Sequence, residues 1–379
     1  MHYALVTETW PPEINGVALT VRDYARGLAQ RGHRVEVVRP RQRGDAGAAA
    51  HELQVRGGRL PGYPGLQFGL PAGGTLLRRW RAQPPDAVYI ATEGPLGWSA
   101  LRTARRLGLP VATGLHTRFD LYMHDYGLRP LAPVALAWMR RFHNAGEATL
   151  VPTAALAAEI AARGFLRARH LPRAVDTGRF APHRRDARLR ERWGVPPDGL
   201  AVIHVGRLAA EKNLPLAIDA FRALQRRRPG ARFVLVGDGP LRETLQRDHP
   251  DFVFCGMQLG TDLAAHVASG DLFLFPSRSE TFGNVVLESM ASGVPVVAFD
   301  TGAAREHLRD GEHGRAVDDD AAFVAAAGAL AADPAARRRM GAAARLAVER
   351  LAPAAVCADL DCLLAGLGNR HDASMPAAA

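Results

Sequence analysis

Lysine is nearly absent from this chain. Of 48 basic residues only Lys212 is lysine; the rest are arginine. Three cysteines (Cys255, Cys357, Cys362) occur in 379 residues. So odd and sparse a set excludes a disulfide framework and a clustered thiolate metal site, and reads as reduced structural thiols. No apolar run approaches the ~20 residues that span a bilayer. The opening Met1-His2-Tyr3-Ala4-Leu5-Val6 lacks the basic start of a secretory leader and reads directly as a β-strand. These shortages together predict a cytoplasmic protein, with peripheral attachment to the inner face of the cell membrane as an extension.

The charge that is present is unevenly placed. Residues 1–170 hold 22 arginines against 12 acidic residues, which accounts for the whole formal net charge of +10. A polyanionic neighbour, either a membrane surface or nucleic acid, suits that half; a scattered, solvated arginine surface is the plain alternative. Segments mixing aromatic and basic residues, 76–81 and 138–142, are where an interface would form. A lone lysine in an arginine-rich chain suggests a task that arginine performs poorly, such as a compact charge on a phosphate; chance survival is the alternative.

With 379 residues the chain exceeds one ordinary core, so two domains are expected. Short β-branched runs alternate with longer Ala/Leu/Arg stretches of helical period, the pattern of parallel sheets covered by helices. Strands are predicted at 3–6, 34–38, 87–90, 111–113 and 149–151, then in a second series at 201–205, 233–236, 252–254, 272–275 and 295–299. Residues 41–60 read as a surface loop. The expected division is an N-terminal acceptor-binding domain over 1–171, a C-terminal nucleotide-binding domain over 172–366 whose last helix can pack back on the first, and a disordered tail over 367–379. Ligands of open α/β sheets gather at the carboxyl ends of strands, so chemistry is sought in the loops that follow them.

Four such loops stand out. The first runs Ser277-Arg278-Ser279-Glu280-Thr281-Phe282-Gly283-Asn284 and continues to Glu288. Helical periodicity from Phe282 onward predicts a helix N-terminus at 282–284, where unpaired amides and the positive dipole end suit an anion. Gly283 leaves room for a phosphate. Glu280 and Glu288 offer fixed acceptors to hydroxyl groups; equally, Glu280 reads as a dipole partner and Glu288 as a solvated helix residue. The second is Gly206-Arg207-Leu208-Ala209-Ala210-Glu211-Lys212-Asn213, with two cations on one loop to stabilise a departing diphosphate. The third, Thr9-Trp10-Pro11-Pro12-Glu13-Ile14-Asn15-Gly16, places a turn dipeptide before a helix, with Gly16 open to close approach. The fourth, Gly114-Leu115-His116-Thr117, puts His116 at the end of a strand, where a structural histidine is the alternative. Asp238, in Gly237-Asp238-Gly239-Pro240, reads as turn chemistry or as a contact near a base.

The Glu280…Glu288 spacing, with Phe282-Gly283 between and Ser289-Met290-Ala291-Ser292-Gly293-Val294-Pro295 after, resembles the E-x7-E signature of family-4 retaining glycosyltransferases. The resemblance extends from Thr7 to about Gly366. It implies the GT-B fold, two Rossmann-like domains facing across a cleft. It implies that Glu280 contacts the donor sugar, Glu288 the ribose, the amides of Phe282, Gly283 and Asn284 the diphosphate together with Arg207 and Lys212, and His116 the sugar. No metal or other cofactor is then needed. The run from His116 to Gly127 is similar to the GDP-mannose-dependent α-mannosyltransferases and lipid glycosyltransferases, which implies a nucleotide-sugar donor and a lipid or glycan acceptor, with no nucleic acid. Transfer from UDP-glucose or UDP-glucuronate to diacylglycerol is the alternative within the family. A non-catalytic nucleotide-sugar or nucleic-acid binder on the same fold is the alternative outside it, set against the joint presence of Glu280, Glu288, Arg207 and Lys212.

Overall fold

A computed structural model describes residues 1–13, 15–42, 51–59, 67–118, 129–278 and 280–372. The strands in chain order are β1 (His2–Val6), β2 (Arg34–Pro40), β3 (Glu52–Val55), β4 (Gly57–Arg59), β5 (Gln67–Gly69), β6 (Ala87–Ile90), β7 (Val111–Gly114), β8 (Ala148–Val151), β9 (Ala168–His170), β10 (Ala201–Val205), β11 (Arg232–Val236), β12 (Val253–Gly256), β13 (Leu272–Phe275), β14 (Val296–Phe299) and β15 (Gly314–Val317).

Two compact α/β units result. One comprises the described residues up to Arg173 together with the helix Pro353–Asp372; the other is Ala174–Ala352. The first unit holds a parallel sheet in the order β3-β2-β1-β6-β7-β8-β9, with β4 and β5 as a separate antiparallel ribbon. Its central strands are buried on both faces, as helix-covered parallel strands must be: Tyr3 to Val6 and Ala87 to Ile90 are almost wholly inaccessible. The helix Gly16–Gln30 turns Val21, Tyr24 and Leu28 inward at helical spacing. The helix Pro353–Asp372 is fixed to the same unit through Asp361, which accepts from the Tyr3 phenol at 2.8 Å and from Arg31 Nε at 2.9 Å.

The second unit holds a parallel sheet in the order β12-β11-β10-β13-β14-β15. Phe221, Phe233 and Phe252 pack together on one of its faces, with ring centroids 5.0–5.4 Å apart. Buried Arg190 ties its two central strands at their starts: Nη1 donates to Ser269 O and Asp271 Oδ2, each at 2.9 Å, and Nη2 to Gly199 O at 2.9 Å. Asp271 Oδ2 also accepts from Ala201 N at 2.7 Å. Removing one member of such a buried pair costs about 3–5 kcal/mol, so the alignment of β10 beside β13 is strongly held.

Several expectations need correction. Residues 52–55 and 57–59, assigned to a loop, form strands β3 and β4; polar Glu52 and Gln54 hid an edge strand, which needs only one apolar face. The units divide after Arg173, not after residue 171, while the last helix does group with the first unit. Helix continues to Asp372, through the first residues assigned to a tail; 373–379 lie outside the described residues. Within residues 334–369 an 18-residue window is apolar enough, by length and composition only, to cross a membrane. Alanine supplies that hydropathy, the helix breaks into a 3₁₀ turn at Glu349–Leu351, and Met340, Ala344, Val348, Val356, Leu360 and Leu364 are buried in the two units. The segment reads as core helix.

Candidate functional site

In the second sheet the strand order reverses between β10 and β13, which run parallel with Val202 beside Leu272 and Ile203 beside Phe273. Such a switch point leaves a crevice beyond the carboxyl ends of the strands. The loops that emerge there are Gly206–Asn213 and Pro276–Gly283, the two read from sequence as chemical.

They meet through charge. Lys212 Nζ contacts Glu280 Oε1, with both side chains mostly shielded from solvent. Ser277 Oγ lies 3.1 Å from the same carboxylate oxygen and 3.1 Å from the Glu211 carbonyl. Asn213 Nδ2 donates to Pro276 O at 3.2 Å, completing the stitching. Arg207 is 3.7 Å from Glu211 Oε1 and half exposed. Behind this loop, Gly237 (φ +139°) comes so close that an added Cβ would sit 1.9 Å from Gly206 O. Asp238 is occupied by the turn itself: Oδ1 accepts from Gly239 N at 2.8 Å and Oδ2 from Arg242 Nη1 at 2.7 Å, and these bonds hold its carboxyl below the usual range.

The helix Asn284–Ala291 begins on Gly283, whose left-handed conformation (φ +90°, ψ +67°) supplies no side-chain cap. Val286 N donates back to Gly283 O at 3.0 Å, while the amides of Asn284 and Val285 have no carbonyl four residues back within the helix and lie at the positive end of its dipole. The Phe282 ring is core, packed 6.0 Å from His307, and its carbonyl accepts from Ala303 N at 2.7 Å. Phe282 thus offers a ligand only its backbone. Replacing Gly283 with alanine should weaken anion binding about tenfold and lower the melting temperature by a few degrees, because Ala at positive φ is strained by about 1 kcal/mol and its Cβ would lie 3.0 Å from the Phe275 ring. Calorimetric titration with nucleoside diphosphate checks this.

Glu288 is the most informative residue of the set. Its side chain is half-buried, and Oε2 is shut from solvent with no hydrogen-bond partner. Burial pushes its pKa up to about 7, against the pull of Arg179. An orphaned buried carboxylate oxygen is costly, and a ligand hydroxyl would satisfy it.

The first unit carries the remaining positions. Asn15 caps the helix Gly16–Gln30 by accepting from Ala18 N at 2.9 Å, and Gly16 is exposed at its start. Glu13 Oε1 accepts from Gln42 Nε2 at 3.0 Å and from Gln67 N at 3.1 Å, which anchors the loop after β1. His116 follows β7 and is half-buried. Its Nδ1 meets the Arg173 guanidinium and its Nε2 lies 2.7 Å from Tyr89 Oη. Burial, then Arg173 and His143, hold its pKa well below the usual histidine value. Residues 119–128, the rest of the His116 run, lie outside the described residues.

Sequence reasoning missed three buried polar groups. His204 on β10 lies beneath Gly206; Nδ1 is 3.0 Å from Leu274 O, Nε2 has no partner, and burial pushes its pKa down to about 4. Glu8, just after β1, accepts from Leu96 N at 2.8 Å and so caps the helix Pro95–Arg106, with burial raising its pKa to about 7. Arg173 had no motif around it. Only Glu8 carried a signal, a carboxylate placed directly after a strand. Among the described residues no group of three or more His, Cys, Asp or Glu side chains could hold a metal ion.

Comparison with known proteins completes the description. The family described as "Glycosyl transferases group 1" matches residues 199–333, and "Glycosyltransferase Family 4" matches residues 14–179. A protein of Mycolicibacterium smegmatis named GDP-mannose-dependent alpha-mannosyltransferase is 36% identical over 95% of this chain and 96% of its own length. Sulfoquinovosyl transferase SQD2 of Arabidopsis thaliana is 30% identical over 80% of this chain and 60% of its own. Among solved structures, sucrose-phosphate synthase from Thermosynechococcus elongatus superposes with a TM-score of 0.78 over 97% of this chain and 99% of that one, at 20% identity, which speaks for the fold. With two parallel-sheet α/β units, the E-x7-E pair on the second and relatives of this length and identity, the chain belongs to the family-4 glycosyltransferases of GT-B fold.

Proposed function

We propose that this glycosyltransferase takes mannose from GDP-mannose and adds it, with retention of configuration, to a lipid or glycan acceptor. The donor half rests on one observation: Lys212 and Glu280 meet at the switch point of a single sheet, beside an uncapped helix that carries Glu288 with its Oε2 unpartnered. Arg207 and Lys212 would neutralise the diphosphate with the amides of Gly283 and Asn284, and the Phe282 backbone would complete that wall. Glu288 would take the ribose hydroxyls and Glu280 a hydroxyl of the sugar. Asp238 would shape the turn near the base. From the first unit, Gly16 would admit close approach of backbone, and His116 would serve the sugar. The name of the Mycolicibacterium relative supports mannose; the Arabidopsis relative, named for sulfoquinovosyl transfer, supports a different donor sugar, and transfer from UDP-glucose or UDP-glucuronate to a lipid is the second reading.

In this reading the bond to the leaving phosphate breaks ahead of attack. The acceptor hydroxyl then adds on the same face and its proton passes to the departing diphosphate. Charge growing on that diphosphate is met by fixed cations and amides, which is where electrostatic catalysis has most effect. A divalent ion has no required place in it.

An acceptor at a membrane fits the first unit's surface. Leu131, Val134 and Trp138 are exposed on and beside the helix Ala132–His143, which also carries Arg140 and Arg141. Peripheral binding at the cytoplasmic face of an anionic membrane follows from that pairing.

A thermal-shift and hydrolysis screen against GDP-mannose, UDP-glucose and UDP-glucuronate tests the donor. At a hundredfold excess over Kd the true donor should add about 2.7 kcal/mol of stability, with the same shift and the same turnover in EDTA. A shift with UDP-sugars alone overturns mannose, and loss of turnover in EDTA overturns the metal-free diphosphate site.

A further inference from the structure

The polar cluster around His116 goes beyond the role assigned to that histidine. Arg173 is buried, and its guanidinium can only donate hydrogen bonds. Its Nη2 meets His116 Nδ1. Nδ1 must therefore present a lone pair, which leaves the proton of the neutral ring on Nε2, facing Tyr89 Oη at 2.7 Å. We propose that Arg173 is the positioning residue that fixes His116 as the neutral Nε2–H tautomer, so that His116 serves the transferred sugar as a hydrogen-bond donor and not as a base. The inference rests on the reading that His116 contacts that sugar.

The surroundings support it from every side. Tyr89 on β6 is inaccessible, and its phenol pKa lies well above the usual value because of burial, so it can accept from Nε2–H without ionising. Tyr24, on the helix Gly16–Gln30, is a further neighbour of Arg173: burial raises its phenol pKa and the guanidinium tempers that rise. His143, on the helix Ala132–His143, adds to the forces that keep His116 uncharged; its own Nε2 is 3.0 Å from Glu93 Oε1 and its Nδ1 is 2.8 Å from Thr113 Oγ1. Among the described residues no carboxylate bonds the His116 ring directly, and the Arg173 cation opposes imidazolium. A sugar hydroxyl can share the Nε2–H with Tyr89; Nδ1 remains covered by Arg173. An enzyme so arranged holds the same hydrogen-bond polarity toward its substrate across the physiological pH range.

The test uses full-length protein labelled with ¹⁵N-histidine. His116, identified by the signal lost in His116→Ala, should show the Nε2–H pattern unchanged from pH 5.5 to 8.5. In Arg173→Met the same signal should titrate near pH 6.5, and turnover of the donor should acquire a tenfold fall between pH 7.5 and 5.5 that wild type lacks. Arg173→Lys, which keeps a donor, should restore the flat profile. An Nδ1–H pattern, or ordinary titration of His116 in the wild type, overturns the proposal even if Arg173→Met does not fold. The sugar reading fails separately: His116→Ala would then turn over donor at the wild-type rate while the tautomer remained as described.

Discussion

Replacing Lys212 with alanine should lower kcat/KM for the true donor by about 10²–10³-fold, the loss expected when one preorganised group stabilising transition-state charge is removed. Lys212 is balanced by Glu280. A diphosphate brings more negative charge than Glu280 can, so the ammonium is the group with most to gain as the sugar departs. Lys212→Arg should recover only part of the rate, since a planar fork cannot occupy the space of a compact ammonium beside Ser277. The far-UV spectrum should not change, because the pair is partly exposed at a loop. Turnover within threefold of wild type in Lys212→Ala would remove the diphosphate from this loop.

Glu288→Gln should produce opposite effects on binding and stability. In the folded chain the Glu288 carboxyl titrates at about 7, against an ordinary value of 4.5. Between those values the folded state keeps a proton that the unfolded chain has released. Stability from this group is therefore full below pH 4.5 and declines as pH rises to 7, by up to about 3 kcal/mol. Glutamine does not ionise, so the variant should melt on the order of 5 °C higher than wild type at pH 8, with little difference at pH 4.5. Affinity for nucleoside diphosphate should fall at least tenfold, because an amide oxygen receives ribose hydroxyls less strongly than a carboxylate. Calorimetry of the ligand-free proteins at both pH values, with titrations alongside, reads the two effects. A variant no more stable at pH 8 would mean that Glu288 is already solvated.

The sequence marked those two residues as candidates because the signals around them are local. Gly283 before a run of helix formers marks a helix start, and a lone lysine among arginines marks a position under constraint. Both statements need only neighbouring residues. The parallel sheets were legible for the same reason, since central strands such as Ala201–Val205 are apolar on both faces. Strand β3 was not, because its exposed face broke the run, and β15, only Gly314–Val317, was too short to stand out. The Lys212–Glu280 contact required knowing that β10 lies beside β13, a fact of topology that no window of sequence contains. Arg173 was invisible for a further reason. An arginine is ordinarily a surface residue, and in a chain with so many of them nothing but burial distinguishes this one.

The link between Tyr3 and Asp361 joins residues 358 positions apart. Among the described residues the second unit, Ala174–Ala352, is therefore an insertion, while the first is closed only by the helix Pro353–Asp372, synthesised after it. At about 5–20 residues per second, the opening strand waits roughly 20–70 s for its partner. During that interval a phenol destined for full burial and the helix face beside Cys357 have nothing to cover them. The later-encoded unit can finish folding before the earlier-encoded one, and the nascent chain must survive that interval with its oldest segment still incomplete.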